Sequence, residues 1–398
     1  MKQSKLILPI IVISQFCCTS LWFAGNGVMN DLMITFNLTS GTLGHLTSAV
    51  QFGFIFGTLI FAILTIADRF SPSKVFMTCA LLGSLFNLSI IWEGNSLASI
   101  LSLRFVTGFF LAGIYPVGMK IAADYFEKGL GKSLGFLVGA LVLGTAFPHL
   151  AKGLTSAFPW KYVLILTSSL AALGGILMLI MVPDGPYRKL GSKLETSTFL
   201  DVFQNRKFRS AAFGYFGHMW ELYAFWAFIP IILETYSMRH PEAIFNIPLL
   251  SFMIIGIGGL ACVAGGYLSQ TIEAKSIAFI ALLLSCTCCL VSPLLFASES
   301  ESLFISFLLF WGMVVIADSP LLSTLVAKNA PAEIKATALT IVNCIGFLIT
   351  IVSIQIMNIL QTSINPTYIY SILALGPIIG LIALYKKKKY HKTKPKLY

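Results

Sequence analysis

Charged residues are scarce in this sequence. Asp, Glu, Lys and Arg together make up 11% of the 398 residues, whereas hydrophobic residues make up 57% and the mean hydropathy is +0.86. Soluble globular domains carry about 25% charged residues. The composition therefore excludes a soluble globular protein and indicates a chain that lies within a lipid bilayer.

Signatures of several functional classes are also missing. The eight cysteines fall inside hydrophobic runs and lack the spacing of a disulfide framework or a zinc site. No G-x-x-x-x-G-K-[ST] loop for nucleotide phosphates occurs, and no metal cluster or nucleophile-base set is present. The sequence thus argues against a primary pump and a membrane-embedded enzyme, and it predicts no cofactor and no metal.

Long hydrophobic runs dominate what is present. They are continuous and lack the ten-residue alternation of barrel strands, so they predict an all-α membrane protein. The first run is too long for the core of a signal peptide. Runs of about 20 residues, the length of a helix that crosses a bilayer, predict twelve transmembrane helices. They lie at residues 7–29, 46–67, 75–92, 97–122, 132–156, 161–182, 209–233, 247–269, 276–297, 303–326, 335–360 and 367–385.

The net charge of +11 is distributed unevenly. Most Lys and Arg residues lie in the N-terminus, in every second loop and in the C-terminal tail. This pattern follows the positive-inside rule and predicts that both termini are cytoplasmic. We therefore interpret the positive charge as a determinant of topology and expect no nucleic-acid partner.

One long polar segment divides the runs into six and six. It predicts an N-terminal six-helix bundle at 1–182, a cytoplasmic central loop at 183–208, a C-terminal six-helix bundle at 209–385 and a basic cytoplasmic tail at 386–398. Equal halves are typical of transporters built from repeats.

Short motifs follow the same division. Asp68-Arg69 with Lys74 follows the second run, Gly266-x-Leu268 follows the eighth, and Arg104-Phe-Val-Thr-Gly108 lies in the fourth. Together with the twelve runs, these motifs resemble the major facilitator superfamily. The resemblance implies two pseudo-symmetric bundles, alternating access, and a central cavity lined by helices 1, 4, 7 and 10. We also expect a functional monomer.

A narrower likeness is found in His218-Met-Trp-Glu221-Leu-Tyr and Ala317-Asp318-Ser319-Pro320. These stretches resemble a bacterial branch related to nitrate and cyanate porters, which implies a bacterial inner (plasma) membrane. Nitrate porters proper carry arginines in the second and eighth helices and a glycine-asparagine signature in the fifth. This sequence has neither feature.

Intramembrane polar residues concentrate on the helices that the resemblance assigns to the cavity. An ionised acid at mid-bilayer costs roughly 2.5–3.5 kcal/mol, so such residues usually have a function. We predict that Glu221 and Asp318 face each other across the cavity and carry protons. The predicted substrate and proton-coupling residues are Asn26, Asn30, Asp31, Arg104, His218, Glu221 and Asp318.

Two of these residues have alternative roles. His218 either relays protons to Glu221 or packs as a hydrogen-bonding residue. Arg104 either anchors an anionic solute or neutralises an acid such as Asp31 or Glu221. By contrast, Pro148-His149 is interpreted as a break near the outer end of the fifth helix, without a functional role.

The predicted gate consists of Asp68, Arg69 and Lys74. A carboxylate beside the N-terminus of another helix in one conformation only would bias the outward-inward equilibrium. The residues together predict a secondary active transporter that moves a small solute by alternating access and is coupled to protons. The alternatives are an uptake carrier for a small inorganic or organic anion that uses Arg104, a facilitative channel and a non-transporting sensor.

Overall fold

The structure is a computed structural model, and it describes residues 6–39, 41–126, 130–155, 158–188, 202–331 and 335–385. Within these ranges the regular secondary structure is entirely helical. Eleven helices are long and apolar enough to cross a membrane, and Ile7–Thr19 is a shorter apolar helix. The predicted twelve-helix fold is confirmed. Residues 189–201 of the predicted central loop and the predicted tail at 386–398 lie outside the described residues.

We number the spans 1 to 12 in chain order. Span 1 comprises Ile7–Thr19, Asn26–Val28 and Met29–Phe36, span 2 is Thr42–Ile63, span 3 is Pro72–Leu88 with Ser89–Ile91, span 4 is Leu97–Leu111 with Tyr115–Tyr125, span 5 is Leu130–Leu154, and span 6 is Lys161–Met181. A short helix, Ile66–Arg69, links spans 2 and 3.

The second half repeats this pattern. Span 7 is Arg206–Arg239, span 8 is Ile247–Leu268, span 9 is Ala274–Phe296, span 10 is Glu301–Ala317 with Ser319–Asn329, span 11 is Lys335–Ser363, and span 12 comprises Pro366–Ile369, Tyr370–Ala374 and Leu375–Leu384. An even number of spans places Ile7 and Leu384 at the same membrane face. We call this the terminal face and the other the opposite face.

Three spans are broken where the sequence disfavours a helix. The span predicted near residues 7–29 is present but interrupted, because its first helix ends at Thr19 and helical structure resumes at Asn26. Gly25 and Gly27 flank this restart, and glycine in a helix interior costs about 1 kcal/mol relative to alanine. Spans 4 and 10 resume with Pro116 and Pro320 in the first turn of their second helices. Proline has no N–H to bond to the preceding turn and its ring clashes with the carbonyl four residues earlier, so the preceding helix ends before it.

Helix packing repeats with the period of six spans. Span 2 packs on span 4 as span 8 packs on span 10, and span 1 packs on span 6 as span 7 packs on span 12. Span 1 also packs on span 5 as span 7 packs on span 11. The halves meet through two equivalent pairs, span 5 with span 8 and span 2 with span 11. These correspondences describe two pseudo-symmetric bundles.

The two seams between the halves differ in chemistry. In the span 5/span 8 seam, a Cβ on Gly139 would lie 3.0 Å from the carbonyl oxygen of Gly259, so glycine allows the backbones to approach closely. In the span 2/span 11 seam, the Gln355 amide donates to the Gly44 carbonyl at 3.0 Å and the Asn358 amide donates to the Gly41 carbonyl at 3.0 Å.

Candidate functional site

A cavity of about 880 Å³ lies between the halves near the opposite face. Spans 1, 5, 7 and 8 supply most of its wall. Three of the predicted solute-binding residues, Asn26, Asn30 and Asp31, line it. Clefts of roughly 300–1,000 Å³ are typical of small-molecule sites. The cavity is therefore the candidate solute site.

Charged side chains at the cavity are held in two contacts. The Lys152 ammonium lies 2.9 and 2.7 Å from the two carboxylate oxygens of Asp31, which joins span 5 to span 1. The Asn30 amide donates to Glu234 at 3.2 Å, which joins span 1 to span 7 across the two halves. Among the described residues, Glu234 has no cationic partner. The lining carboxylates thus exceed the lining ammonium groups by one.

Two functional candidates at the cavity were not predicted from the sequence. His149 lines the cavity and is 2% exposed, although Pro148-His149 was predicted to have no functional role. Glu234 was not predicted because it lies near the end of a span, where a charged residue is unremarkable in sequence. Either residue could have been predicted only with the knowledge that spans 5 and 7 both line this cavity.

An aromatic cluster closes the cavity toward the terminal face. Trp22 stacks on Tyr223 and Phe347 with ring centroids 5.8 and 5.7 Å apart, and Phe54 lies 4.6 Å from Phe347. Its members come from spans 1, 2, 7 and 11 and therefore from both halves. Trp226, next to the lining residue Ala227, contacts the ring of Tyr223. The cluster separates the cavity from the terminal face.

His218 and Asp318 form a buried pair that joins span 7 to span 10. Nδ1 of His218 lies 2.8 Å from Oδ1 of Asp318, and both side chains are 1% exposed. Nε2 of His218 and Oδ2 of Asp318 have no hydrogen-bond partner among the described residues. His218 therefore contacts Asp318, whereas one of its two alternative roles in the sequence analysis was a proton relay to Glu221.

Glu221 points into the C-terminal half. Its Oε1 accepts hydrogen bonds from the Ser285 hydroxyl, the Cys289 thiol at 3.2 Å and the Trp311 indole at 2.7 Å. These donors lie on spans 9 and 10, away from the cavity. The expectation that Glu221 faces Asp318 across the central cavity is therefore wrong, because Glu221 is bonded to spans 9 and 10 and neither acid lines the cavity.

Arg104 is bound to backbone oxygens in the N-terminal half. Its guanidinium donates to the carbonyls of Leu21, at 3.1 Å, and Trp22, and to the Asn87 side chain at 3.1 Å. The two carbonyls belong to the break in span 1, where the regular helical bonds are interrupted. Arg104 contacts neither Asp31 nor Glu221, so the structure does not support the alternative in which it neutralises one of these acids. Arg104 thus supplies hydrogen-bond donors to carbonyl oxygens at the break in span 1.

The predicted gating residues lie at the terminal face. Lys120 of span 4 bridges Asp68 at 2.9 Å and Asp124 at 3.5 Å. Asp68 is thus paired with a side chain of its own half, whereas the expected partner was the N-terminus of another helix. Arg69 and Lys74 are exposed.

Comparison with solved structures shows the same fold in several proteins. The chain superimposes on the proton:xylose symporter XylE with a TM-score of 0.74, 13% identity and 94% of each chain covered. It superimposes on the nucleoside transporter NupG with a TM-score of 0.71 and 16% identity, covering 96% of this chain and 99% of that one. A bacterial homologue of the human lysosomal transporter Spinster gives a TM-score of 0.67, 15% identity and coverage of 96% and 95%.

Sequence relatives match a shorter region. The Efflux pump FUBT of Fusarium oxysporum is 27% identical over 200 residues, which is 46% of this chain and 33% of the relative. The Efflux pump FUB11 of Gibberella moniliformis is 26% identical over 201 residues, or 47% and 33% of the two chains. The matched region thus spans about a third of the length of these relatives. The sequence model of the Major Facilitator Superfamily matches residues 11–354.

Residues 11–354 are well over half of the chain, and the twelve-span fold with its two repeated halves agrees with this match. The protein is therefore an integral multi-pass membrane protein that belongs to the major facilitator superfamily.

Proposed function

We propose that the protein is a secondary active transporter that couples movement of a small solute to movement of protons. The observation that carries the proposal is the burial of Glu221 and Asp318 in the C-terminal half without a Lys or Arg partner among the described residues. An ionised acid in this position is costly, so each carboxyl group favours a proton or a protonated partner.

The surroundings of these acids suit reversible protonation. All three donors to Glu221 are neutral and bond the same oxygen, which leaves the other oxygen to hold a proton. The side chain that contacts Asp318 is His218, whose Nδ1 lies 2.8 Å from Oδ1 of the carboxyl group. In this proposal the solute occupies the cavity at the opposite face, and the rocking halves expose it alternately to the two sides.

Several finer statements belong to the same proposal. We infer a bacterial inner membrane with both termini in the cytoplasm, on the basis of the distribution of Lys and Arg, and a functional monomer. The likeness to the branch related to nitrate and cyanate porters also stays a proposal. Domain boundaries at 182 and 209, and a gating role for Asp68, Arg69 and Lys74, are further expectations.

Export is a second candidate direction, because the sequence relatives from Fusarium oxysporum and Gibberella moniliformis are named efflux pumps. The anion carrier based on Arg104 has less support, since the guanidinium is occupied by two backbone carbonyls and an asparagine.

The coupling is tested in proteoliposomes with a solute first found by thermal-shift screening of the purified protein. Glu221→Gln and Asp318→Asn remove the ionisable groups at nearly constant shape. We expect both variants to lose solute accumulation driven by a pH gradient while they retain solute counterflow. Counterflow requires an alternating site, so it also separates a carrier from a channel.

Glu242→Gln is the matched control, because Glu242 is exposed beyond span 7 and does not line the cavity. It should accumulate solute like the unmodified protein. Undiminished gradient-driven accumulation by both the Glu221 and the Asp318 variants would show that these acids are not the coupling groups.

A further inference from the structure

Two buried polar atoms at the cavity have no partner within the described chain. They are Nε2 of His149 on span 5 and Oγ of Ser251 on span 8. His149 is 2% exposed and Ser251 is fully buried, and both residues line the cavity. A buried polar group without a hydrogen bond is destabilising, so both atoms favour a molecule that supplies a hydrogen bond.

The register of spans 5 and 8 places these two residues at the same depth. A Cβ on Gly153 would lie 3.5 Å from the Leu249 nitrogen, and a Cβ on Gly139 would lie 3.0 Å from the Gly259 oxygen. The two helices run in opposite directions, so His149, one turn before Gly153, is level with Ser251. The pair therefore offers two hydrogen-bonding groups, one from each half, at one level of the cavity.

The charge of the cavity favours a cation. Asp31 is neutralised by Lys152, whereas Glu234 has only the Asn30 amide as a partner among the described residues. Glu234 and Asn30 come from different halves. The Asn30 amide is neutral, so it leaves the negative charge of Glu234 without a counter-charge, and a ligand cation would supply one.

We propose that the cavity binds a small organic amine that also carries a hydroxyl group. The ammonium contacts Glu234, and the hydroxyl group is hydrogen-bonded by His149 and Ser251. This inference rests on the proposed transport function and names its substrate class. Apolar lining residues, among them Met33, Ile231 and Phe245, suit a hydrocarbon portion beside the two polar groups.

Other classes of solute fit less well. A carboxylate would approach Glu234 without a free cation among the described residues of the cavity wall, because the lining ammonium of Lys152 is already paired with Asp31. A neutral polyol would satisfy His149 and Ser251 but would leave the charge of Glu234 unmatched.

Four probes with a shared phenyl group test the class by equilibrium binding to the purified full chain. They are 2-phenylethanolamine, phenethylamine, phenethyl alcohol and phenylacetate. We expect the amino alcohol to bind most tightly, phenethylamine about five- to tenfold more weakly for the loss of one hydrogen bond, and the other two more weakly again.

Variants then assign each group. Glu234→Gln should lower the affinity for both amines about tenfold or more and leave the affinity for phenethyl alcohol unchanged. Glu234→Asp keeps the carboxylate and should retain the preference for amines. Ser251→Ala and His149→Phe should each lower the affinity for 2-phenylethanolamine to that for phenethylamine. The affinity for phenethylamine itself should not change. The controls are Glu242→Gln and Ser102→Ala, whose side chains are exposed outside this cavity.

The assignment is overturned if phenylacetate or phenethyl alcohol binds as tightly as the amines, if Glu234→Gln leaves amine binding intact, or if none of the probes binds saturably at millimolar concentration. These measurements need no proton gradient. Selective amine binding without gradient-driven transport would therefore refute the coupling alone, and coupled transport of a non-amine would refute the substrate class alone.

Discussion

Arg104 on span 4 donates hydrogen bonds to the carbonyl oxygens of Leu21 and Trp22 at the break in span 1. The structural consequence is that a fixed positive charge takes the place of the missing helical donors. Asn87 holds the same guanidinium from span 3. One buried side chain thus joins three spans of the N-terminal half.

Replacing Arg104 should therefore destabilise the folded protein. We expect Arg104→Ala to lower the free energy of unfolding by about 2–5 kcal/mol, because the Trp22 carbonyl and the Asn87 oxygen lose their donor and the Leu21 carbonyl keeps only the Ala24 N–H at 3.5 Å. Thermal unfolding in detergent measures this loss. Arg239→Ala, at the exposed end of span 7, is the control. A stable Arg104→Ala protein that fails only in solute binding would instead indicate an anion-binding role.

The contact between His218 and Asp318 should be visible as energetic coupling. Single changes His218→Gln and Asp318→Asn each leave one buried partner unpaired, whereas the double variant removes both. We expect the two effects on unfolding free energy to be non-additive by about 0.5–3 kcal/mol, as is typical for residues in direct contact. His218→Gln combined with Glu221→Gln provides a reference cycle, because Glu221 is bonded by Ser285, Cys289 and Trp311. Additivity in the first cycle would contradict the pairing.

Gly108 should be intolerant of substitution for a steric reason. A Cβ at this position would lie 2.1 Å from the carbonyl oxygen of Val50, so spans 2 and 4 would have to separate. We expect Gly108→Ala to cost about 1–3 kcal/mol of stability, the usual range for overpacking. Gly131→Ala in span 5 is the matched control, because a Cβ on Gly131 would meet no described atom within 4 Å. Equal melting temperatures for the two variants would be inconsistent with this packing.

The aromatic cluster should limit access from the cavity to deeper residues. Phe347 contacts Trp22, Phe54 and Tyr223, and the buried Cys344 lies one turn away on span 11. We expect Phe347→Ala to accelerate labelling of Cys344 by a membrane-impermeant thiol reagent applied from the opposite face. Site-resolved mass spectrometry measures the rate. The neighbouring Leu348, which is 44% exposed, supplies the control Leu348→Ala. Unchanged labelling of Cys344 would show that another element closes the cavity.

The sequence predicted features that depend on local composition. Hydrophobic length placed the twelve spans, and these spans together with the central loop and short motifs led to the family. Asn26, Asn30 and Asp31 line the cavity, and they lie on the span that the family resemblance assigns to it.

The partners of the buried charges could not be predicted, because they depend on helix rotation and on breaks within spans. A difference of three residues places Glu221 toward Ser285 and Trp311, and His218 toward Asp318. Arg104 became a partner of backbone carbonyls only because span 1 is interrupted. His149 gains its importance from Ser251, a residue about 100 positions away whose proximity follows from the packing of spans 5 and 8.

The unequal seams between the halves also affect how they can move. Gly139 and Gly259 keep one seam in close backbone contact, whereas Gln355 and Asn358 fasten the other through amide hydrogen bonds near the opposite face. The hydrogen bonds of the span 2/span 11 seam are directional and break over a short displacement. The span 5/span 8 seam has no side chain at its glycines, so these two helices can shift along each other and stay in contact. The two halves are therefore expected to rotate about the glycine seam between spans 5 and 8, while spans 2 and 11 separate at the amide seam.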